Sequence, residues 1–155
     1  MRRFLAMVLA LGLAGFGVSS AHADESYAEL ISGISWNREQ SEAIVGIAAG
    51  HDFDLDEAHF VGVELSLEKE LVSERHVAAG IGGRFGRTMM SGGKAFVGVN
   101  WQTKDCFECG SAFGFNGGWE QDIAEGIYAK IEYKHLLVNH ETDKDIVLAG
   151  LGVMF

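Results

Sequence analysis

The stretch D-I-V-L-A-G-L-G-V-M-F, Asp145 to Phe155, alternates with a period of two. Counting back from Phe155 in twos gives Val153, Leu151, Ala149 and Val147, a wholly apolar face. The residues between them, Met154, Gly152, Gly150, Leu148 and Ile146, set two glycines at the centre of the other face. Successive side chains of a strand point to opposite sides, so this period predicts a strand and not a helix.

The same pattern recurs upstream, about ten residues at a time, with polar breaks between. A first strand, roughly Tyr27 to Trp36, has Leu30, Ile34 and Trp36 opposite Glu29, Gly33 and Ser35. The second sets Val45, Ile47, Ala49 and Phe53 against Gly46, Ala48, Gly50 and Asp52. In the third, Val61, Val63, Leu65 and Leu67 oppose Gly62, Glu64, Ser66 and Glu68; in the fourth, Val77, Ala79, Ile81 and Phe85 oppose Ala78, Gly80, Gly82 and Arg84. The fifth has Ala95, Val97, Val99 and Trp101 against Phe96, Gly98, Asn100 and Gln102. The sixth has Phe113, Phe115, Gly117 and Trp119 against Gly114, Asn116, Gly118 and Glu120. The seventh has Ile127, Ala129, Ile131 and Tyr133 against Tyr128, Lys130, Glu132 and Lys134. With the closing strand this makes eight. No stretch after Asp24 carries a helical period. Proline is absent and glycine numbers 21, which suits unbroken ladders, since proline cannot donate to one.

Ahead of the strands, Arg2 and Arg3 precede an uncharged apolar run from Phe4 to Val18, and Ala21-His22-Ala23 follows. This is the pattern of a secretory signal peptide, residues 1–23, with cleavage expected before Asp24. The run is short of the ~20 residues a helix needs to cross a bilayer. Cleavage would leave one domain, residues 24–155, with 10 basic and 22 acidic residues, a formal charge of −12. So acidic a surface disfavours nucleic acid as a partner.

Alternation alone fits both a membrane barrel and a soluble barrel with an apolar lining. Two features favour the apolar face outward. The other face mixes Gly and Ala with Glu, Lys, Arg and Asn, which suits the narrow interior of an eight-stranded barrel better than a solvated exterior. The aromatics of the apolar face also gather at strand ends. Phe53, Phe85, Trp119 and Phe155 fall toward one rim, and Trp36, Trp101 and Tyr133 toward the other. Two such rings read as aromatic girdles at two membrane interfaces. The expected fold is therefore all-β: an eight-stranded antiparallel up-and-down transmembrane β-barrel, closed because lipid cannot satisfy a free strand edge.

The segments G-H-D-F-D-L (50–55), H-F-V-G-V-E-L-S (59–66) and I-Y-A-K-I-E-Y-K (127–134), together with the terminal Phe155, resemble small porin-like outer-membrane proteins of the opacity and OmpA-transmembrane-domain kind. The resemblance implies export to the outer membrane of a Gram-negative envelope. It implies contact with outer-membrane lipid and lipopolysaccharide, and recognition of Phe155 by the barrel-assembly machinery as an assembly signal. It further implies a non-enzymatic structural or surface-interaction role. The connections at the far rim are shorter than those of adhesins of this kind, which disfavours adhesion. A narrow porin-like channel and a lipid-A-modifying enzyme are the alternatives.

For chemistry, the inner face offers Glu64, Arg84, Glu120, Lys130, Glu132 and Lys134. A hairpin turning near Val72 is expected to set Glu64 opposite Arg84, and one about Glu125 sets Glu120 opposite Lys130. Such a set is either an ion path or an internal salt-bridge network; the narrow bore favours the network. Cys106-Phe107-Glu108-Cys109 is a C-x-x-C with no second pair to complete a four-ligand zinc site. In an exported protein a Cys106–Cys109 disulfide is expected. For an enzyme, His135 and His140 with Glu141 are the candidates, but H-L-L-V-N-H lacks a Ser beside its His. No catalytic residue, metal ligand or cofactor is therefore expected.

Overall fold

The computed structural model describes residues 24–38, 40–73, 75–90, 92–106, 110–139 and 142–155. Residues 1–23 lie outside these, and with them the signal-peptide reading. Eight strands close into one antiparallel barrel in sequence order: β1 (Glu25–Trp36), β2 (Ser41–Asp54), β3 (His59–Glu70), β4 (Ala78–Thr88), β5 (Gly93–Gln102), β6 (Ala112–Ala124), β7 (Ile127–Val138) and β8 (Lys144–Met154). No helix occurs among the described residues.

The seam is β1 against β8, running from Tyr27↔Met154 to Trp36↔Asp145. Phe155 extends it beyond the assigned strand. Its N–H donates to the Ser26 carbonyl at 2.9 Å, and the Ser26 N–H donates to the Phe155 carbonyl at 3.1 Å. The last residue thus completes the ladder that removes the sheet's free edge. Deleting Phe155 is expected to strip most of the correctly inserted protein from the membrane fraction, as scored by cell fractionation and the gel shift on heating. Normal yield would remove its assembly role.

One rim carries the β2–β3, β4–β5 and β6–β7 turns. Gly92 (φ 78°) and Gly126 (φ 68°) adopt the left-handed backbone those turns require, which side-chain-bearing residues rarely enter. In the first turn, Asp56 accepts the Ala58 N–H at 2.8 Å and the His59 N–H at 2.9 Å. These donors, with the His59 ring, hold its carboxyl below the usual range. The turn's support is therefore complete above that range and is lost as the carboxylate protonates in acid. The opposite rim carries the β1–β2, β3–β4, β5–β6 and β7–β8 connections.

The partition of side chains is the reverse of a soluble protein's. Leu30, Val63, Leu65, Ile81, Val97, Phe115, Ile131 and Leu151 stand exposed on the outer wall, while Glu29, Asp52, Arg84, Lys130, Glu132 and Lys134 are buried inside. Every strand face read from the sequence holds, because a period of two fixes the facing of a strand once one face is assigned. Outside, Phe53, Phe85, Trp119 and Phe155 lie toward the turn rim, and Trp36, Trp101 and Tyr133 toward the loop rim, all on the outer wall. Phe113, paired with Trp101 across β5–β6, joins the aromatics at the loop rim.

Candidate functional site

The barrel interior is the only place where the described chain concentrates buried charge, and it is layered. Nearest the turns, β4 points Arg84 to the axis. Its guanidinium takes Asp52 in a two-pronged contact (Nε–Oδ1 2.9 Å, Nη2–Oδ2 2.7 Å) and reaches Glu120 at 2.5 Å. Tyr27, Phe60 and Phe96 surround it, with the Tyr27 ring centroid 4.3 Å from the guanidinium carbon. Such cation–π contacts strengthen when water is excluded. Lys94 joins this layer through Glu25 and, at 3.4 Å, Asp52.

The middle layer is built on β7, whose inward positions supply Tyr128, Lys130, Glu132 and Lys134. Lys130 pairs with Glu29, with Glu132 at 2.9 Å and with Glu64 at 3.6 Å. The Tyr128 hydroxyl donates to Glu29 at 3.0 Å, and the Tyr27 hydroxyl to Glu64 at 2.9 Å. Lys134 contacts Glu68 at 2.7 Å, and Asn116 donates to Glu132 at 2.7 Å. Above this comes an apolar cluster of Ile31, Ile44, Ala112, Leu136, Ile146 and Leu148. At the loop rim a third set closes a ring: Lys144 with Glu70 (3.0 Å) and Asp105 (3.2 Å), and Arg75 with Asp105 (2.7 Å) and Glu70 (3.4 Å).

All six interior residues picked from the sequence belong to these layers, but their pairing differs. Glu64 does not face Arg84. The register sets Arg84 opposite Gly62 and Glu64 opposite Gly82. A shift of two residues leaves every side chain on the same face, so the hydrophobic pattern cannot detect it. Glu120 does lie opposite Lys130. Its ion pair nevertheless runs to Arg84, because in so narrow a bore long side chains meet across the axis and not along the ladder. Sequence reasoning did not name Glu29, Asp52, Glu68, Lys94, Glu70, Lys144, Arg75 or Asp105 as members. For the strand residues the inward parity was the available signal.

The enzyme candidates are placed differently. His135 is on the outer wall, its Nδ1 2.8 Å from Asp145, which also accepts the Tyr133 hydroxyl at 2.5 Å. Its outward neighbours on β7 and β6 are Tyr133, Leu137 and Phe115, which supply no serine. His140 and Glu141 lie outside the described residues. So does Cys109, and with it the Cys106–Cys109 pairing. Alkylation of unreduced, unfolded protein is expected to label neither cysteine; full labelling would overturn the disulfide.

The geometry defines a class, the small closed eight-stranded barrel with an apolar exterior and a charged interior. Solved structures of that class match the chain. Neisserial surface protein A is 13% identical, with 88% of this chain and 100% of that one covered and a TM-score of 0.59. The N-terminal β-barrel domain of Pseudomonas aeruginosa OprF is 12% identical, covering 83% and 97%, at 0.58. The outer membrane enzyme PagL is 15% identical, covering 84% and 99%, at 0.56. At such identities the likeness is one of fold: that of small outer-membrane β-barrels. No protein-family model matches the chain, and no curated protein does.

Proposed function

We propose that this protein is a non-enzymatic outer-membrane β-barrel, exported by its signal peptide, with a structural or surface-interaction role in a Gram-negative envelope. The observation that carries the reading is the inverted partition. Leu65 is 61% exposed on the outer wall while Arg84 is 4% exposed inside. An exterior of Leu, Ile, Val and Phe between two aromatic belts suits lipid and penalises water. On this reading the belts meet outer-membrane lipid and lipopolysaccharide, and the β1–β8 seam is closed with the barrel-assembly machinery. Interior ion pairs and the apolar cluster fill the bore, which supports a plugged barrel over a porin-like channel. His135 pairs with Asp145 with no serine among its outward neighbours, and the Ser26–His51 contact (2.9 Å) shows no carboxylate on its imidazole among the described residues; the three groups are nowhere assembled there, which supports a non-enzymatic role over lipid-A modification.

Two measurements test this. Purified protein in planar bilayers is expected to give no stepwise conductance, and lipid A from a deletion strain to keep its acylation pattern by mass spectrometry. Discrete single-channel steps, or a changed acyl pattern restored by the gene, would overturn the assignment.

A further inference from the structure

We infer that Glu29, Tyr128 and Lys130 form an internal strap that holds the closing seam of the barrel shut, reaching over β8 through a slot made by Gly150 and Gly152. The seam differs from the other strand pairings in topology. β1 and β8 are the first and last strands, so no single connection of the chain joins them. Every other pair is tethered by a short connection, which keeps frayed strands close. For β1 and β8 the loop that would bring them back together is the whole barrel.

The register sets the parts in line. Tyr128 on β7 faces Gly152 on β8, and Gly152 faces Glu29 on β1. On the next inward rung Lys130 faces Gly150. At this level β8 therefore puts no side chain between β7 and β1. The Tyr128 ring lies in the space left free. A methyl group on Gly152 would stand 2.5 Å from its Cε1 and 2.6 Å from its Oη. A methyl group on Gly150 would stand 3.1 Å from Glu29 Oε2 and 3.3 Å from Lys130 Cβ.

The two sides meet past β8. The Tyr128 hydroxyl donates to Glu29 Oε2 at 3.0 Å, and Lys130 Nζ pairs with Oε1 of the same side chain. Tyr128 is 1% exposed, and Glu29 and Lys130 are each 4% exposed. Hydrogen bonds of this kind, to ionised partners and away from water, are stronger than neutral solvated ones. The strap thus gives a use to the two glycines at the centre of the closing strand's inner face.

Tyr27 supplies a comparison within the same barrel. Its ring lies over Gly50 of β2, and its hydroxyl donates to Glu64 of β3 at 2.9 Å. That side chain also spans three strands, but β1, β2 and β3 are already joined in sequence by the chain. Loss of the Tyr27 hydroxyl should therefore matter less to closure than loss of the Tyr128 hydroxyl.

The test is amide hydrogen exchange of the purified barrel in lipid nanodiscs, read residue by residue by NMR. Tyr128→Phe removes one oxygen and leaves the ring on Gly152. It is expected to speed exchange about fivefold or more in the β1–β8 ladder, residues 28–31 and 150–153, and to leave the β3–β4 ladder within about twofold of the parent. Gly152→Ala, which displaces the ring, should speed the same seam amides. Tyr27→Phe should leave them within about twofold of the parent. Unaltered seam exchange in Tyr128→Phe, an equal rise in all the ladders, or the same seam effect from Tyr27→Phe would overturn the strap. The strap concerns closure of the fold, so either outcome leaves the proposed envelope role standing.

Discussion

Replacing Arg84 with Met is expected to destabilise the barrel by about 3–5 kcal/mol, the usual cost of removing one partner from a buried ion pair. Arg84 holds Asp52 through two hydrogen bonds and Glu120 through a third, at a site only 4% exposed. Its loss leaves Glu120 without its partner, while Asp52 keeps only Lys94 at 3.4 Å. The measurement is urea unfolding of protein folded into bilayers, scored by tryptophan fluorescence. Adding Asp52→Asn and Glu120→Gln to Arg84→Met should recover most of the loss, because the stranded charges are then gone. An Arg84→Met protein as stable as the parent would mean that the interior is hydrated enough to make the pairs dispensable.

Leu65→Arg and Val99→Arg are each expected to cost about 2–4 kcal/mol, the price of a guanidinium on the lipid face near the bilayer midplane. Both residues stand mid-strand on the outer wall, 61% and 44% exposed. Ser66→Ala, one position along β3 but inside, should be nearly neutral, since it removes a hydroxyl and adds no charge. The contrast between adjacent residues separates the two faces of one strand. Equal losses at residues 65 and 66 would point to general fragility of β3.

The fold was legible because each strand alternates and the outer face never carries a run of charge. Even β1, the least regular strand, is set by Leu30, Ile34 and Trp36 facing out and Glu29 and Ser35 facing in. The β6–β7 register was legible too, since the two-residue turn at Glu125–Gly126 fixes it up to the irregularity between Asp122 and Ala124. The β3–β4 register was not, because loop 71–77 leaves room for a shift of two that changes no side chain's face. The partners inside the bore were the least readable part. Arg84 on β4 meets Asp52 on β2 and Glu120 on β6, and Lys134 on β7 meets Glu68 on β3. Contacts across a barrel axis follow from its closure and bore, which no local pattern encodes. The inward aromatics Tyr27, Phe60 and Phe96 gather for the same reason around Arg84, a cation that each meets from another strand.

The central claim is that the apolar wall faces lipid and the charged wall faces the bore. It is tested most directly by single tryptophans in a background where Trp36, Trp101 and Trp119 are Phe. One tryptophan is placed at Leu65 or Val99, and in a separate protein at Phe96, which is 4% exposed inside. The proteins are folded into bilayers whose acyl chains carry bromine near the middle. The account predicts strong quenching of Leu65→Trp and Val99→Trp and little of Phe96→Trp. Strong quenching at residue 96, with residues 65 and 99 shielded, would contradict it.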